Sequence, residues 1–234
     1  MYVDYRYEDN ISHITIDDGK VNALSSRLIA QLQSALDEAE SNLAVTIITG
    51  NERLFSAGFD LSELAKSKAS AANLVRRGAE LCLRLMSFHS PIICACNGHA
   101  FPMGAFILMS SDYRIGVKGP FSLGMNEVRV GLVVPRFALE LARGRLHPAY
   151  FHRTVATGEL FSPEDALAAG ILDELVTPEA LATRALEKAE DLKTVNFSHH
   201  HATKLRARSQ WIAAVKQGIA EDYFESENTA VDND

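Results

Sequence analysis

Four short apolar runs separated by stretches of helical or turn-and-helix character constrain this chain more than any other feature of its sequence. Ile11–Ile16 alternates apolar and polar residues as a half-buried strand does. Val45–Thr49 is β-branched, Ile92–Cys96 is apolar almost throughout, and Tyr113–Val117 resembles them. After the first run, Asp17, Asp18 and Gly19 supply turn chemistry; Leu24, Leu28, Leu32, Leu36 and Ala39 then recur at helical spacing, with Ser25 or Ser26 placed to cap them. Residues 61–88 keep a helical period without proline, with a break expected at 69–72, and Pro91 stops them. Asn97 and Gly98 read as a turn, and residues 104–110 as an apolar helix opening just beyond Pro102. Strands alternating with helices imply βαβ units with right-handed crossovers, and so an α/β fold.

The remainder reads as mostly helical. Ser162, Pro163, Glu164 and Asp165 place a cap, a proline at the first helical position and two acids in the first turn, and Gly170 stands as the stop, predicting a helix over Pro163–Ala169. Thr177, Pro178 and Glu179 open a second helix in the same way, helical pattern continues to Val215, and the last dozen acidic residues are expected to fray. The chain thus divides into a core over 1–176 and a helical C-terminal region over 177–234.

Composition sets the class of partner. With 234 residues, 47% hydrophobic, and a formal net charge of -7, the chain can bury a sizeable core and lacks the basic character of a nucleic-acid binder. The opening MYVDYRYEDN has neither the basic nor the apolar part of a secretory signal, and no apolar run approaches the roughly 20 residues that span a bilayer, so a cytoplasmic protein without membrane association is expected. Cys82, Cys94 and Cys96 lie in apolar surroundings, and Cys94 and Cys96 lack companion ligands, so no metal site is expected. Neither Ser56 nor Ser122 has the G-x-S-x-G frame of a hydrolase elbow, and no phosphate-cradling glycine loop with a following lysine occurs.

Three segments carry glycine among residues that a generic core does not require. They are Phe55-Ser56-Ala57-Gly58-Phe59-Asp60-Leu61, then Asn97-Gly98-His99-Ala100-Phe101-Pro102-Met103-Gly104-Ala105-Phe106, and Ser122-Leu123-Gly124-Met125-Asn126-Glu127-Val128-Arg129-Val130-Gly131-Leu132. Val21-Asn22-Ala23-Leu24, Asp112-Tyr113-Arg114-Ile115 and the stretch from Phe161 to Asp173 accompany them. In order and spacing this set resembles the enoyl-CoA hydratase/isomerase (crotonase) superfamily over roughly residues 11–176.

The resemblance implies a spiral of ββα turns with a helical C-terminal region, assembled as a homotrimer or hexamer. It implies an acyl-CoA thioester as ligand, with CoA part of the substrate and no separate cofactor. It puts two oxyanion-hole amides on the backbone N–H groups of Phe59 and Met103, and CoA contacts on Val21, Ala23, Asp60 and Leu61. Ala57, Gly58, Phe101, Gly104 and Phe106 are expected to bind the substrate, with Phe59, Phe101 and Phe106 making its acyl pocket apolar. Preorganised donors of this kind stabilise the enolate that forms beside a thioester carbonyl by about 3 kcal/mol each.

Departures from the family pattern narrow the reaction. Hydratases of the family hold water between two glutamates; here the first position is Phe106 and the second is Glu127. A double-bond shift needs a single carboxylate, and Leu-Gly-Met-Asn-Glu resembles the glutamate segment of enoyl-CoA isomerases. An isomerase with Glu127 as acid and base is therefore the expectation. The alternatives are a hydratase working with one glutamate, a noncatalytic acyl-CoA binding protein, or a thioesterase. Pro102 and Met103 replace small glycines frequent in this turn, and an apolar pocket would raise the pKa of Glu127. His99 is read as structural, the His199–His201 run as a solvated face, Arg129 and Arg136 as candidate partners for CoA phosphates, and Lys204, Arg206 and Arg208 as a basic strip.

Overall fold

The computed structural model describes residues 1–52 and 54–231, with residues 223–231 as backbone alone. Its main sheet has the order β1 (Val3–Glu8), β2 (Ile11–Ile16), β3 (Val45–Thr49), β4 (Ile92–Cys96), β5 (Tyr113–Val117), β8 (Glu174–Val176). β1 and β2 run antiparallel, and every later neighbour pairs in parallel. The hairpin turns at Asp9 and Asn10, whose φ values of 50° and 60° suit a tight turn matched to strand twist. β1 is an addition to the sequence reading. Its outward Asp4, Arg6 and Glu8 are the charges that discourage a further strand from pairing at an edge.

Between β2 and β3 runs α1 (Ser26–Ser41), which buries Leu28, Ile29, Leu32, Ala35, Leu36 and Ala39. Each large side chain in that stripe gains about 1.5–3 kcal/mol by leaving water. Ser25 is the cap, accepting from Leu28 N at 3.2 Å; Ser26 is held instead by Glu63. Between β3 and β4 lie α2 (Leu61–Leu64) and α3 (Lys68–Met86). The break falls at residues 65–67 rather than 69–72. Ser67 caps α3 by accepting from Ser70 N, while the alanines after it are strong helix formers and continue the helix.

A second row of pairings crosses the first. After each main strand the chain makes a short extended bridge before its helix: Leu24 pairs with Phe59, Ser56 with Ala100, and Ala100 with Leu123. β6 (Leu123–Gly124) then pairs with β7 (Leu160–Phe161). Strand, bridge and helix repeat as the ββα turns of a spiral. α4 (Met103–Ser110) follows the second bridge and is buried along its whole length.

The rest of the chain covers the spiral. α5 (Arg136–Arg145) and α6 (Pro148–Thr157) precede β7, and α7 (Pro163–Ala169) has the expected Ser162 cap and left-handed Gly170 stop. The helix expected from Pro178 to Val215 is interrupted. A 3-10 turn at Pro178–Ala180 leads to α8 (Leu181–Leu192), α9 (Phe197–Ala207) starts afresh from an Asn196 cap, and α10 (Ser209–Val231) follows Arg208. α8 packs Leu181, Ala185 and Ala189 against Ile47, Ile93 and Ile115 of the sheet. The tail expected to fray continues α10 to Val231, and residues 232–234 lie outside the described residues.

The expected basic strip on α9 is split by burial. Lys204 Nζ meets Asp112 Oδ2 at 2.7 Å and Arg208 meets Asp112 Oδ1 at 2.8 Å, with Lys204 only 6% exposed. Both cations are spent on fastening α9 to the turn after α4; Arg206 remains at the surface. The His199–His201 run is likewise not all solvated, since His201 Nε2 contacts Ser87 O and His200 approaches Asp112.

Candidate active site

Ala100 aligns the three segments singled out in the sequence. Ser56 N and O bond His99 O and Phe101 N on one side of it, and Ala100 bonds Ser122 O and Gly124 N on the other. Ser56, Ala100 and Leu123 are therefore neighbours across one row, with Phe59 and Met103 each three residues further along and Glu127 four.

The amide of Phe59 is left over by its own pairing. Leu24 donates to Gly58 O at 2.8 Å and accepts from Asp60 N at 3.2 Å, so it bonds the residues on either side of Phe59. In a parallel pairing of this kind, the N–H of the residue between faces away. Met103 begins α4 after Pro102, which supplies no side-chain cap. Phe106 N is the first of this helix to find a carbonyl, Pro102 O at 3.0 Å. The preceding N–H groups are the orphan donors of a helix start, with the positive end of the helix dipole behind them. Among the described residues, neither the Phe59 nor the Met103 N–H donates to a backbone carbonyl.

Glycine lets these two loops touch. Gly58 has φ 104°, and a Cβ placed on it would stand 2.6 Å from Pro102 Cδ and 2.9 Å from Phe101 O. Gly104 lies against Ser56 O with 2.8 Å for the same atom. Only residues without a side chain permit such backbone approach. The Phe59 ring and the Met103 thioether then both rest on Gly78 of α3, where a Cβ would come within 2.5 Å and 3.2 Å of them. Gly78 escaped the sequence reading; a lone glycine inside a helical pattern is the signal that points to such a contact.

Glu127 opens a 3-10 turn, Glu127–Val130, closed by left-handed Gly131. It is 5% exposed, and neither carboxylate oxygen finds a hydrogen-bond partner. Burial pushes its pKa up from 4.5 to about 7, and its own backbone N–H, outside hydrogen-bonding geometry, pulls only weakly the other way. Thr154 of α6 anchors this segment through its hydroxyl, which accepts from Met125 N at 3.1 Å.

The remaining assigned residues have distinct surroundings. Phe106 is 1% exposed and packs edge-on against Phe137 at 5.6 Å between ring centroids. Phe101 turns its ring to His99, 5.8 Å away, and His99 Nδ1 accepts from Ser122 N at 3.0 Å, tying the second segment to the third. Asp60 caps α2 through Ser62 N and Glu63 N, and the Ser62 hydroxyl holds its pKa down. Val21 and Leu61 are exposed, at 47% and 72%; Ala23 and Ala57 are half-buried. Arg129 donates to Thr157 O and Arg136 pairs with Glu221. The three cysteines are fully buried, which pushes each thiol up to about 12 and leaves it unreactive. Among the described residues no group of three or more His, Cys, Asp or Glu could hold a metal.

Beside these loops α3, residues 133–139 and α10 surround a cavity of about 510 Å³. It is lined by neighbours of the residues just described: Ala79, next to Gly78, and Phe137, which meets Phe106.

The model of the enoyl-CoA hydratase/isomerase family matches residues 6–229 of this chain. The chain belongs to that family. A solved member from Pseudomonas syringae superposes with a TM-score of 0.94 at 43% identity, covering 95% of this chain and 96% of that one. Human mitochondrial enoyl-CoA delta isomerase 1 is 30% identical over 80% of this chain, an alignment spanning 64% of the human protein. A probable enoyl-CoA hydratase of Bacillus subtilis is 34% identical over 78% of this chain and 70% of its own length. The family's α/β spiral with a helical C-terminal region is the fold described above. Its members here carry both isomerase and hydratase names. No helix among the described residues is long and apolar enough to cross a membrane.

Proposed function

We propose that this chain is an enoyl-CoA isomerase. The observation that carries the reading is the lone Glu127 carboxylate: buried, without a hydrogen-bond partner, and raised to about 7; the family resemblance puts Phe106 at the position of the other glutamate. In this reading the thioester oxygen of a 3-enoyl-CoA accepts from the Phe59 and Met103 amides. The Glu127 carboxylate removes a proton from C2, the C–H electron pair moves into the enolate, and the acid then returns the proton to C4. The double bond ends between C2 and C3, with Glu127 regenerated and no cofactor consumed. A base that must both take and give a proton near neutral pH works best with a pKa near 7.

Glu127→Gln should lower isomerisation of a 3-enoyl-CoA by about 10²- to 10⁴-fold while CoA-ester binding is kept. Unchanged turnover removes the assignment. Water addition to a 2-enoyl-CoA, followed in the same preparation, tests the hydratase reading, and release of free thiol tests hydrolysis. Ligand-induced stabilisation without any turnover is what a noncatalytic binding protein predicts. The assembly proposed with this function is a homotrimer or hexamer in the cytoplasm, which sedimentation and fractionation check.

A further inference from the structure

His99 touches all three of the segments that carry Phe59, Met103 and Glu127, with its side chain as well as its backbone. It lies in the second segment. Its carbonyl accepts from Phe55 N and Ser56 N of the first, both at 3.1 Å, and its ring nitrogen Nδ1 accepts from Ser122 N of the third at 3.0 Å. Any residue would supply the carbonyl. The ring nitrogen is particular to histidine, and it stands where a backbone atom would otherwise be. Ala100 donates to Ser122 O and accepts from Gly124 N; in a regular parallel ladder the Ser122 N–H then meets the carbonyl two residues before Ala100, that of Gly98. Gly98 O accepts instead from the Cys96 thiol at 3.3 Å, and the imidazole completes the rung.

The ring that carries this nitrogen is held on two sides. Phe101 meets it edge-on at 5.8 Å between centroids and Phe121 at 5.5 Å, with interplanar angles of 72° and 87°, the arrangement that aromatic rings prefer. Phe121 in turn lies over Gly119, where a Cβ would come within 2.6 Å of its ring. Chain order then says what the Nδ1 bond governs. His99 stands four residues before Met103, and Ser122 stands five before Glu127. The bond therefore ties the loop that presents the amide to the loop that presents the carboxylate, and touches neither group.

We propose that His99 is a positioning residue, its Nδ1 serving as the acceptor that registers the Glu127 segment on the Met103 loop and so sets the carboxylate against the amide. This rests on the isomerase reading of the site. The test compares His99→Asn, whose Oδ1 stands the same number of bonds from Cα as Nδ1 and accepts in its place, with His99→Phe, which keeps a ring and has no acceptor. For the native protein and both variants, kcat and KM for a 3-enoyl-CoA, thermal melting and hydrogen exchange at the Ser122 amide are measured. His99→Phe should lower kcat about tenfold with KM within about twofold, and release the Ser122 amide to exchange; His99→Asn should keep that amide protected and kcat within about threefold of the native value. Should His99→Phe not fold, His99→Leu, which also lacks an acceptor, takes its place. Native kcat in the variant without an acceptor, a loss as large in His99→Asn, or a Ser122 amide that exchanges freely in the native protein overturns the positioning role and leaves the isomerase standing. No turnover of the 3-enoyl-CoA by the native protein removes the isomerase reading and this role with it, whatever the Ser122 amide shows.

Discussion

Gly78 and Phe59 are packed so closely that a single added carbon has nowhere to go: a Cβ on Gly78 would lie 2.5 Å from Cζ of the Phe59 ring. The same carbon would stand 3.2 Å from Met103 Sδ. The two residues whose amides are proposed to hold the thioester oxygen therefore share one seat on α3. Gly78→Ala should tilt the Phe59 ring, shift the amide behind it, and lower kcat by about tenfold, because small misplacements of aligned groups are costly in rate. Stability should change little, since replacing glycine inside a helix returns about 1 kcal/mol against the clash. Measuring kcat and thermal melting on the same variant separates the two effects. Full activity in Gly78→Ala would show that the seat does not position the amides.

Glu127 makes stability and activity depend on pH in opposite directions. In the unfolded chain this carboxyl ionises near 4.5, and in the fold near 7, so the native state binds the extra proton between those values. Stability contributed by this group therefore falls as pH rises from about 4.5 to 7 and stays low above it, by about 3 kcal/mol at most. Glu127→Gln, which carries no charge, should be more stable than the parent at pH 8 and equal to it at pH 4 in denaturant titrations. Activity runs the other way, because the carboxylate must be ionised to take a proton: kcat/KM should rise through pH 7. A flat profile across that range, or equal stabilities at pH 8, contradicts the burial argument.

Local chemistry was readable from residue order, and distant packing was not. Ser162, Pro163 and Gly170 fix α7 because cap, first turn and stop depend only on neighbours. The alternation of Val3, Tyr5 and Tyr7 with Asp4, Arg6 and Glu8 is itself a strand signal, one that the charges of an edge strand mask. Ser67 rather than the alanines after it divides α2 from α3, a contest between a good cap and good helix formers. The motif glutamate could be named from its segment, yet its lack of any partner follows from burial. The seat at Gly78 joins loops 19 and 25 residues away from it, on either side, and no short-range pattern reports that.

Asp112 is the anchor for the C-terminal helices. It accepts from Ile92 N at 2.9 Å while pairing with Lys204 and Arg208, 92 and 96 residues further along. Burial pulls the Lys204 pKa down and Asp112 opposes it. Asp112→Ala leaves a buried ammonium without its partner, and the expected loss is about 3–5 kcal/mol in equilibrium unfolding. Adding Lys204→Met should restore much of that, because the penalty lies in the uncompensated charge. No recovery in the double variant would place the cost elsewhere, in the Ile92 N–H or in Arg208.

Thr154 holds the segment that carries Glu127, and its hydroxyl can be removed without changing its shape. It is 1% exposed, accepts from Met125 N at 3.1 Å and also lies 3.4 Å from Met125 O. Thr154→Val keeps the volume but strands a buried N–H two residues before Glu127, at a cost of about 1–3 kcal/mol. A loosened Met125 lets the carboxylate wander relative to the amides on the neighbouring loops, so kcat should fall severalfold with KM changing less. Thr154→Ser keeps the hydroxyl and removes only a methyl, so it should recover kcat while remaining somewhat less stable than the parent. If serine and valine depress kcat equally, packing around the lost methyl rather than the hydrogen bond to Met125 positions Glu127.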